Sequence, residues 1–435
     1  MGPSTSKAVF RQPRPANADG LVPAAGTRPT LWLSRLALSN FRCYARAEVE
    51  ADGRPVVLVG PNGAGKTNLL EAISYLAPGR GLRRAKLSEV DRRPAPGAQA
   101  RDDAGGSAEA WAVAATVMTP HGPREIGTGR DPANGPGGPG GPGANGDSDQ
   151  GRPRERRLVK IDGAPARSQQ DLGEIVAMVW LSPRMDGLFR DGASARRRFL
   201  DRLVYGFDPA HAARVAAYEQ GLRERARLLK AGGADNAWLG ALEESMARNG
   251  VAIAAARRDT VARLAQACTA GIGPFPVAGL GLAGEVEAAL ESRAALAVED
   301  ELRARLAAAR TRDAAAGGAA VGPHRGDLIV SHLERDLPAG LCSTGEQKAL
   351  LISIVLAHAR LLALHRGAPP LLLLDEVAAH LDEVRRRALF GEILELGAQA
   401  WLTGTDAAVF AALGERARFF RVHEATVRPA APPRA

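Results

Sequence analysis

Residues Gly60-Pro61-Asn62-Gly63-Ala64-Gly65-Lys66-Thr67 read GPNGAGKT and fit the pattern G-x-x-x-x-G-K-[ST] in full. Glycines at 60, 63 and 65 let backbone N–H groups curl around an anionic phosphate with no Cβ in the way. Lys66 supplies positive charge to β- and γ-phosphate oxygens, and the Thr67 hydroxyl suits Mg²⁺. Roughly three hundred positions later, four leucines, Leu371–Leu374, run into Asp375-Glu376. A buried strand ending in two carboxylates is unusual unless they serve something. Asp375 is placed to hold Mg²⁺, directly or through water, and Glu376 to polarise an attacking water as general base. The bland alternative is a strand running into a solvated helix cap. Together these residues predict an ATP and Mg²⁺ site, with Lys66 and Glu376 as its catalytic pair.

A third constellation, Ser343-Thr344-Gly345-Glu346-Gln347-Lys348, stands just upstream of the acidic strand. Ser343-x-x-Glu346 is a capping box ahead of an apolar stripe of Leu350, Leu351, Ile354 and Leu361. Capping alone accounts for it. A helix N-terminus that exposes Ser343 and Gly345 is also an anion site. In ABC-type ATPases such a segment closes on the γ-phosphate held by the other protomer. That reading makes the ATP site composite, so ATP should cause dimerisation. Asp382 either caps the next helix or reaches across such an interface.

Several elements must position these residues. Pro55–Val59 reads as a short buried parallel strand, and a helix over 67–77 carries Leu69, Leu70, Ile73 and Leu76 inward. Leu31, Leu33, Leu36 and Leu38 alternate as a strand or hairpin before Asn40-Phe41-Arg42. Trp111–Met118 and Leu158–Ile161 read as a hairpin around a glycine- and proline-rich insert at about 131–151. Residues 197–316 are rich in Ala, Arg, Glu and Leu. Val215, Tyr218, Leu222 and Leu229 form one helical stripe there, and Trp238, Leu242 and Met246 another. Glycines at 232–233 and from 271 to 284 break this region into separate helices, too short for coiled-coil arms. Strand signals return at Leu328–Val330, Leu371–Leu374 and Trp401–Thr403. The predicted fold class is α/β, an ABC-type P-loop ATPase head with a mixed sheet and flanking helices, interrupted by a compact helical lobe. The predicted organisation is a disordered tail over 1–29, head over 30–196, lobe over 197–316, head again over 317–425 and a fraying tail over 426–435.

The chain has 435 residues and a formal net charge of +9, which favours an anionic partner, nucleic acid before a membrane surface. An Arg-rich genome composition produces the same balance. Three cysteines, Cys43, Cys268 and Cys342, have no metal-site spacing and no even pairing, as in a reducing, cytoplasmic setting. No apolar run approaches the ~20 residues of a membrane span.

The chain resembles the RecF family of ABC-type, SMC-like ATPases from about residue 34 to 425. Asn40-Phe41-Arg42-Cys43-Tyr44, Gly65–Ile73, Arg196-Arg197-Arg198-Phe199-Leu200-Asp201, Val321–Leu328 and Ser343–Lys348 carry the resemblance, in family order. It implies an ATP-dependent DNA-binding protein that favours duplex DNA at gap junctions and forms an ATP-dependent homodimer. Such proteins hydrolyse ATP slowly, as a weak, DNA-stimulated ATPase in which ATP acts mainly as a switch. They work with RecR and RecO to load recombinase, and support replication restart and the SOS response to DNA damage. It also leaves Arg42 as either a contact to nucleotide phosphates or a plain surface arginine. His324-Arg325 are a structural turn or a DNA-facing pair, and Arg196–Arg198 a phosphate contact or a solvated helix start. Pro183-Arg184-Met185-Asp186 departs from the family's Pro-Glu-Asp, leaving the residue that links Mg²⁺ to the lobe unassigned. No histidine follows Trp401-Leu402-Thr403, so Thr403 or Asp406 would take the sensing role. The rival readings are a transporter-type ABC motor, which usually fits both motif halves into a shorter stretch, and an SMC-like DNA organiser, which needs long arms.

Overall fold

The computed structural model describes residues 31–92, 110–131, 155–232 and 235–433. The predicted N-terminal tail and most of the glycine-rich insert lie outside the described residues. The chain opens with β1 (Trp32–Phe41), β2 (Tyr44–Glu50), β3 (Val56–Val59), α1 (Lys66–Ser74) and the short α2 (Leu87–Val90). β4 (Ala112–Thr119), β5 (Gly122–Arg130), β6 (Arg157–Ile161) and β7 (Ala164–Pro165) follow. Six of these strands form an antiparallel sheet in the order β2-β1-β4-β5-β6-β7. Val113, Ala115 and Val117 of β4 turn to one buried face at the two-residue period of a strand.

The predicted hairpin between 111–118 and 158–161 does not form. β5 lies between them and pairs with both. Its sequence, GPREIGTGR, has a single large aliphatic residue, Ile126, so no alternation marks it. Gly129 is required there, because a Cβ would meet the Trp111 carbonyl oxygen at 2.7 Å.

After α3 (Asp171–Ile175) comes β8 (Met178–Leu181), then α4 (Ala193–Phe207), α5 (His211–Ala231), α6 (Asn236–Thr269) and β9 (Ala278–Ala283). α7 (Glu285–Ser292), α8 (Ala295–Ala308), α9 (Arg310–Ala316), β10 (Asp327–His332) and β11 (Leu337–Pro338) complete the middle of the chain. Last are α10 (Thr344–Arg366), β12 (Leu371–Leu374), α11 (Glu383–Leu396), β13 (Ala400–Gly404), β14 (Arg418–His423) and β15 (Thr426–Ala430). The second six-stranded sheet, β15-β14-β3-β13-β12-β8, is parallel except for β15.

That sheet separates two cores, which explains why its strands are apolar on both faces. Leu372 and Leu374 of β12 pack into the core shared with α4, α6 and α10, and Leu371 and Leu373 into the core shared with α1 and the antiparallel sheet. Gln399 stitches the two sheets, accepting from the Leu33 N–H at 2.9 Å and donating to the Leu33 and Asp52 carbonyls at 3.0 and 2.7 Å. α10 has the length and hydropathy of a membrane span, yet 72% of its most apolar window is buried inside the protein.

The middle region holds a third core around Tyr218, Met246, Val251, Leu302 and Leu306. α6, of 34 residues, packs on α5, α8 and β9 and does not project as an arm. Three readings of this part and of the C-terminal stretch need correction. Trp238 is exposed and Leu239 takes the buried place, and Leu228 is buried deeper than Leu229, whereas Tyr218 and Met246 are buried as the stripes predict and Val215, Leu222 and Leu242 pack partly buried against the same core. The glycine-rich stretch 271–284 contains β9, which pairs with β10, so this region is not wholly helical. The C-terminal stretch expected to fray forms the edge strand β15, whose Pro429 suits an edge because proline has no N–H to donate.

Candidate functional site

β3 delivers the chain to the GPNGAGKT loop, and α1 begins at Lys66. Two glycines are dictated by neighbours. A Cβ at Gly60 would meet the Val422 carbonyl oxygen at 2.0 Å, and one at Gly65, where φ is +112°, would meet the Tyr44 hydroxyl at 2.6 Å and Cys43 Sγ at 2.9 Å. Gly60, Ala64 and Gly65 are buried, while Pro61, Asn62 and Gly63 are exposed along the loop crest. Lys66 is buried and curls back across the loop, its Nζ donating to Gly60 O at 2.7 Å and Pro61 O at 2.9 Å. Burial lowers its pKa, against the pull of the Glu376 and Asp375 charges.

The two halves of the motif set, 308 positions apart, meet directly: Thr67 Oγ1 donates to Asp375 Oδ1 at 2.9 Å. Thr403 Oγ1 donates to the same oxygen at 2.8 Å and accepts the Glu376 N–H at 2.9 Å. Thr403 therefore ties the ends of β12 and β13 together at the acidic pair. Asp406, the other candidate for that place, instead caps the next turn through the Ala408 N–H. Burial pushes the Asp375 carboxyl pKa up, and the hydroxyls of Thr403 and Thr67 only partly counter it. The Thr67 hydroxyl and the Asp375 carboxylate are oxygen donors of the kind a hard divalent cation takes. Glu376 sits in a left-handed conformation, φ +55°, which a non-glycine residue adopts only when its surroundings impose it. Its carboxylate has no hydrogen-bond partner among the described residues.

Arg42, also left-handed at φ +55°, leaves β1 and donates through Nε and Nη2 to Glu71 at 2.9 and 2.6 Å. Arg83 shares the other side of the site, donating to Asn68 Oδ1 at 2.8 Å and Glu71 Oε2 at 3.1 Å. Glu71, fully buried in α1, thus aims two guanidiniums at one place. Arg42 is not a plain surface residue. Arg42, Thr67, Arg83, Arg84, Arg184, Asp375 and Glu376 all line one cavity of about 530 Å³ at the ends of the parallel strands, where open α/β sheets take their ligands.

Ser343 and Gly345 do not line this cavity. Ser343 caps α10, its N–H donating to Glu346 Oε2 at 3.0 Å, and Arg335 reaches Glu346 from outside at 2.6 Å. Ser343, Thr344 and Gly345 remain exposed. Lys348 meets Asp186 at 3.5 Å beside Asp375, so Asp186 is the acid of the 183–186 turn that approaches the acidic strand. Asp382 caps α11 through the Arg385 N–H at 2.8 Å.

Apart from Arg198, the other basic motifs are engaged internally. Arg196 pairs with Asp327 at 2.7 Å and Arg197 donates to Gly326 O at 2.7 Å, while Arg198 is exposed. His324 bonds the Tyr218 hydroxyl at 2.8 Å and Ala319 O at 2.9 Å, and Arg325 donates to Ala319 O. These residues join the middle region to the head as a structural turn.

Sequence reasoning missed Glu71, Arg83 and Arg157. Arg157 is buried and donates to the carbonyls of Gly79 at 2.8 Å and of Tyr75, holding the chain that leaves α1. Burial lowers its pKa to about 10. A charged residue inside an amphipathic helix or strand gives no local sign of its partner. For Glu71 the available signal was an acid placed between two apolar inward positions of α1.

A family model described as AAA domain matches residues 35–93. The DNA replication and repair protein RecF of Mesorhizobium japonicum is 48% identical over 399 residues, covering 91% of this chain and 97% of that protein. RecF of Agrobacterium fabrum is 48% identical over 392 residues, covering 90% and 96%. Among solved structures, the recombination mediator protein RecF-ATPrS of the RecFOR pathway superposes with a TM-score of 0.74 at 22% identity, covering 93% of this chain and 99% of that one. Its RecF-ATP counterpart gives 0.72, also at 22% identity, covering 92% and 100%. With the same fold along nearly its whole length and close to half its residues shared with such relatives, the chain belongs to the RecF family.

Proposed function

We propose that this protein is an ATP-dependent DNA-binding protein of recombinational repair and replication restart. It binds duplex DNA near single-strand gaps, dimerises when it binds ATP and hydrolyses it slowly. It acts in the cytoplasm with RecR and RecO to load recombinase and support SOS induction. The observation that carries this reading is the half-built site. Thr67, Asp375, Thr403 and Glu376 are locked together on one side, while the Ser343–Gly345 helix start is exposed and away from their cavity. A second copy would supply the missing anion-binding side.

Within that site, residues 60–67 and Arg42 would cradle the phosphates, and Thr67 and Asp375 would hold Mg²⁺, which supplies charge stabilisation to the phosphate oxygens. Lys66 exchanges its loop carbonyls for phosphate oxygens. Glu376, fixed through its N–H by Thr403, takes the proton of the attacking water. Light scattering with ATP tests the composite site. Glu376→Gln should accumulate a dimer, and Ser343→Arg should stay monomeric while still binding ATP. Normal dimerisation of Ser343→Arg would contradict the reading.

A further inference from the structure

The cavity carries four arginines, and their pairing is uneven. Arg42 and Arg83 share the buried Glu71. Arg84 and Arg184 are exposed, and neither has a carboxylate partner among the described residues. Arg184 follows β8, beside the strand that ends in Asp375, and reaches the Arg83 carbonyl at 3.4 Å across the cavity wall. Arg84 is held left-handed at φ +56°. Behind them Arg202 stacks 4.7 Å from the Trp180 ring, its buried Nε without a partner. Burial and the Arg84 charge together lower the Arg202 pKa to about 9. Three guanidiniums without carboxylates repel one another unless an anion joins them. The acids that also line the cavity, Glu89, Asp375 and Glu376, do not pair with Arg84 or Arg184.

We propose that Arg84 and Arg184 recognise the terminal phosphate of a nucleoside triphosphate bound in this cavity, so that the site tells triphosphate from diphosphate through them. The inference rests on the ATP reading above and adds to it. Thr67, at the metal end of the loop, lines the cavity, whereas residues 60–66 do not, so the space continues past the loop toward Asp375 and Glu376. That is where the outermost phosphate of a chain cradled by the loop must lie. A cation in the 183–186 turn suits a phosphate and not a metal. The same turn carries Asp186, bridged to Lys348 of α10, and leads into α4, so a phosphate drawn to Arg184 would pull on both.

The test compares ATPγS and ADP, each with Mg²⁺, by fluorescent-nucleotide displacement on the full chain. In Arg84→Ala/Arg184→Ala, ATPγS affinity should fall roughly tenfold or more, the size of a lost charge-assisted hydrogen bond. ADP affinity should change less than about twofold, and Arg184→Lys should recover part of the loss. Equal weakening of both nucleotides, or an unchanged preference, would overturn the inference. So would a variant that keeps its ATPγS preference but loses duplex binding, since the arginines would then serve DNA phosphates. A wild-type protein that binds neither nucleotide would instead remove the ATP reading itself.

Discussion

The junction of the middle region with the head and the crevice of the head use the same side chains to opposite ends. In the junction, Arg257 grips both oxygens of Asp201 at 2.8 and 2.9 Å and donates to Pro323 O at 2.7 Å, and His211 adds a further bond to Asp201. Deeper in, Arg225 meets Glu243, Asp313 and the Leu306 carbonyl at 2.9, 2.8 and 2.7 Å. These charges are buried and saturated by each other. In the crevice, among the described residues, Glu376 has a strained backbone and a carboxylate without a hydrogen bond, Arg84 and Arg184 have no carboxylate partner, and Lys66 is turned onto its own loop. Saturation marks residues that hold the fold, and unmet charge beside a cavity marks residues kept for a ligand. Glu287 tests the rule: it lies in the junction, buried, with no hydrogen bond to either oxygen among the described residues and Arg257 at 3.8 Å as its ion-pair partner. Burial raises its pKa, against the pull of the Arg257 charge beside it.

Substitutions should separate the two regions. The largest stability effect belongs to Arg257→Ala, which strands Asp201 and should cost about 3–5 kcal/mol in urea unfolding. Arg184→Ala, on the crevice side, should stay within about 0.5 kcal/mol in the same assay. A comparable loss at both would erase the distinction. Glu376→Gln should lower steady-state ATP turnover by about 100-fold or more with stability nearly unchanged. The smallest effect concerns Asp375. Its raised pKa means the folded state holds that proton more tightly than the unfolded one. Its favourable contribution is therefore present at acid pH and lost as pH rises above its ordinary value of 3.8. Near pH 7, Asp375→Asn should raise the ligand-free Tm by a few degrees and remove any shift produced by Mg²⁺. A lower Tm would mean that the Thr67 and Thr403 hydrogen bonds outweigh the burial.

The parts legible in the sequence are those where local chemistry is sufficient. The loop of residues 60–67 needs its glycines, and the leucines of β12 are continuous because they alternate between two cores. The strand β5 was illegible because its residues follow no period, and its place is set by Gly129 against the Trp111 carbonyl. Thr403 was legible as a candidate, beside Asp406, only through the family resemblance, which expects a histidine after that strand. Glu71 and Arg83 were not, since their pairing with Arg42 arises when separate elements converge. The exposed C-terminal strand was misread because Pro and Ala content says nothing of the free edge that β14 offers.

The central claim is that ATP, held by Lys66 and completed by a second copy, gates the grip on DNA. The most direct measurement is duplex binding at fixed salt, with and without ATP, for the wild-type chain and Lys66→Ala, because phosphate contacts make such affinities salt-dependent. The account predicts that ATP tightens wild-type binding and leaves Lys66→Ala unchanged at the weak level. Equal affinity for the two proteins in the presence of ATP would contradict it.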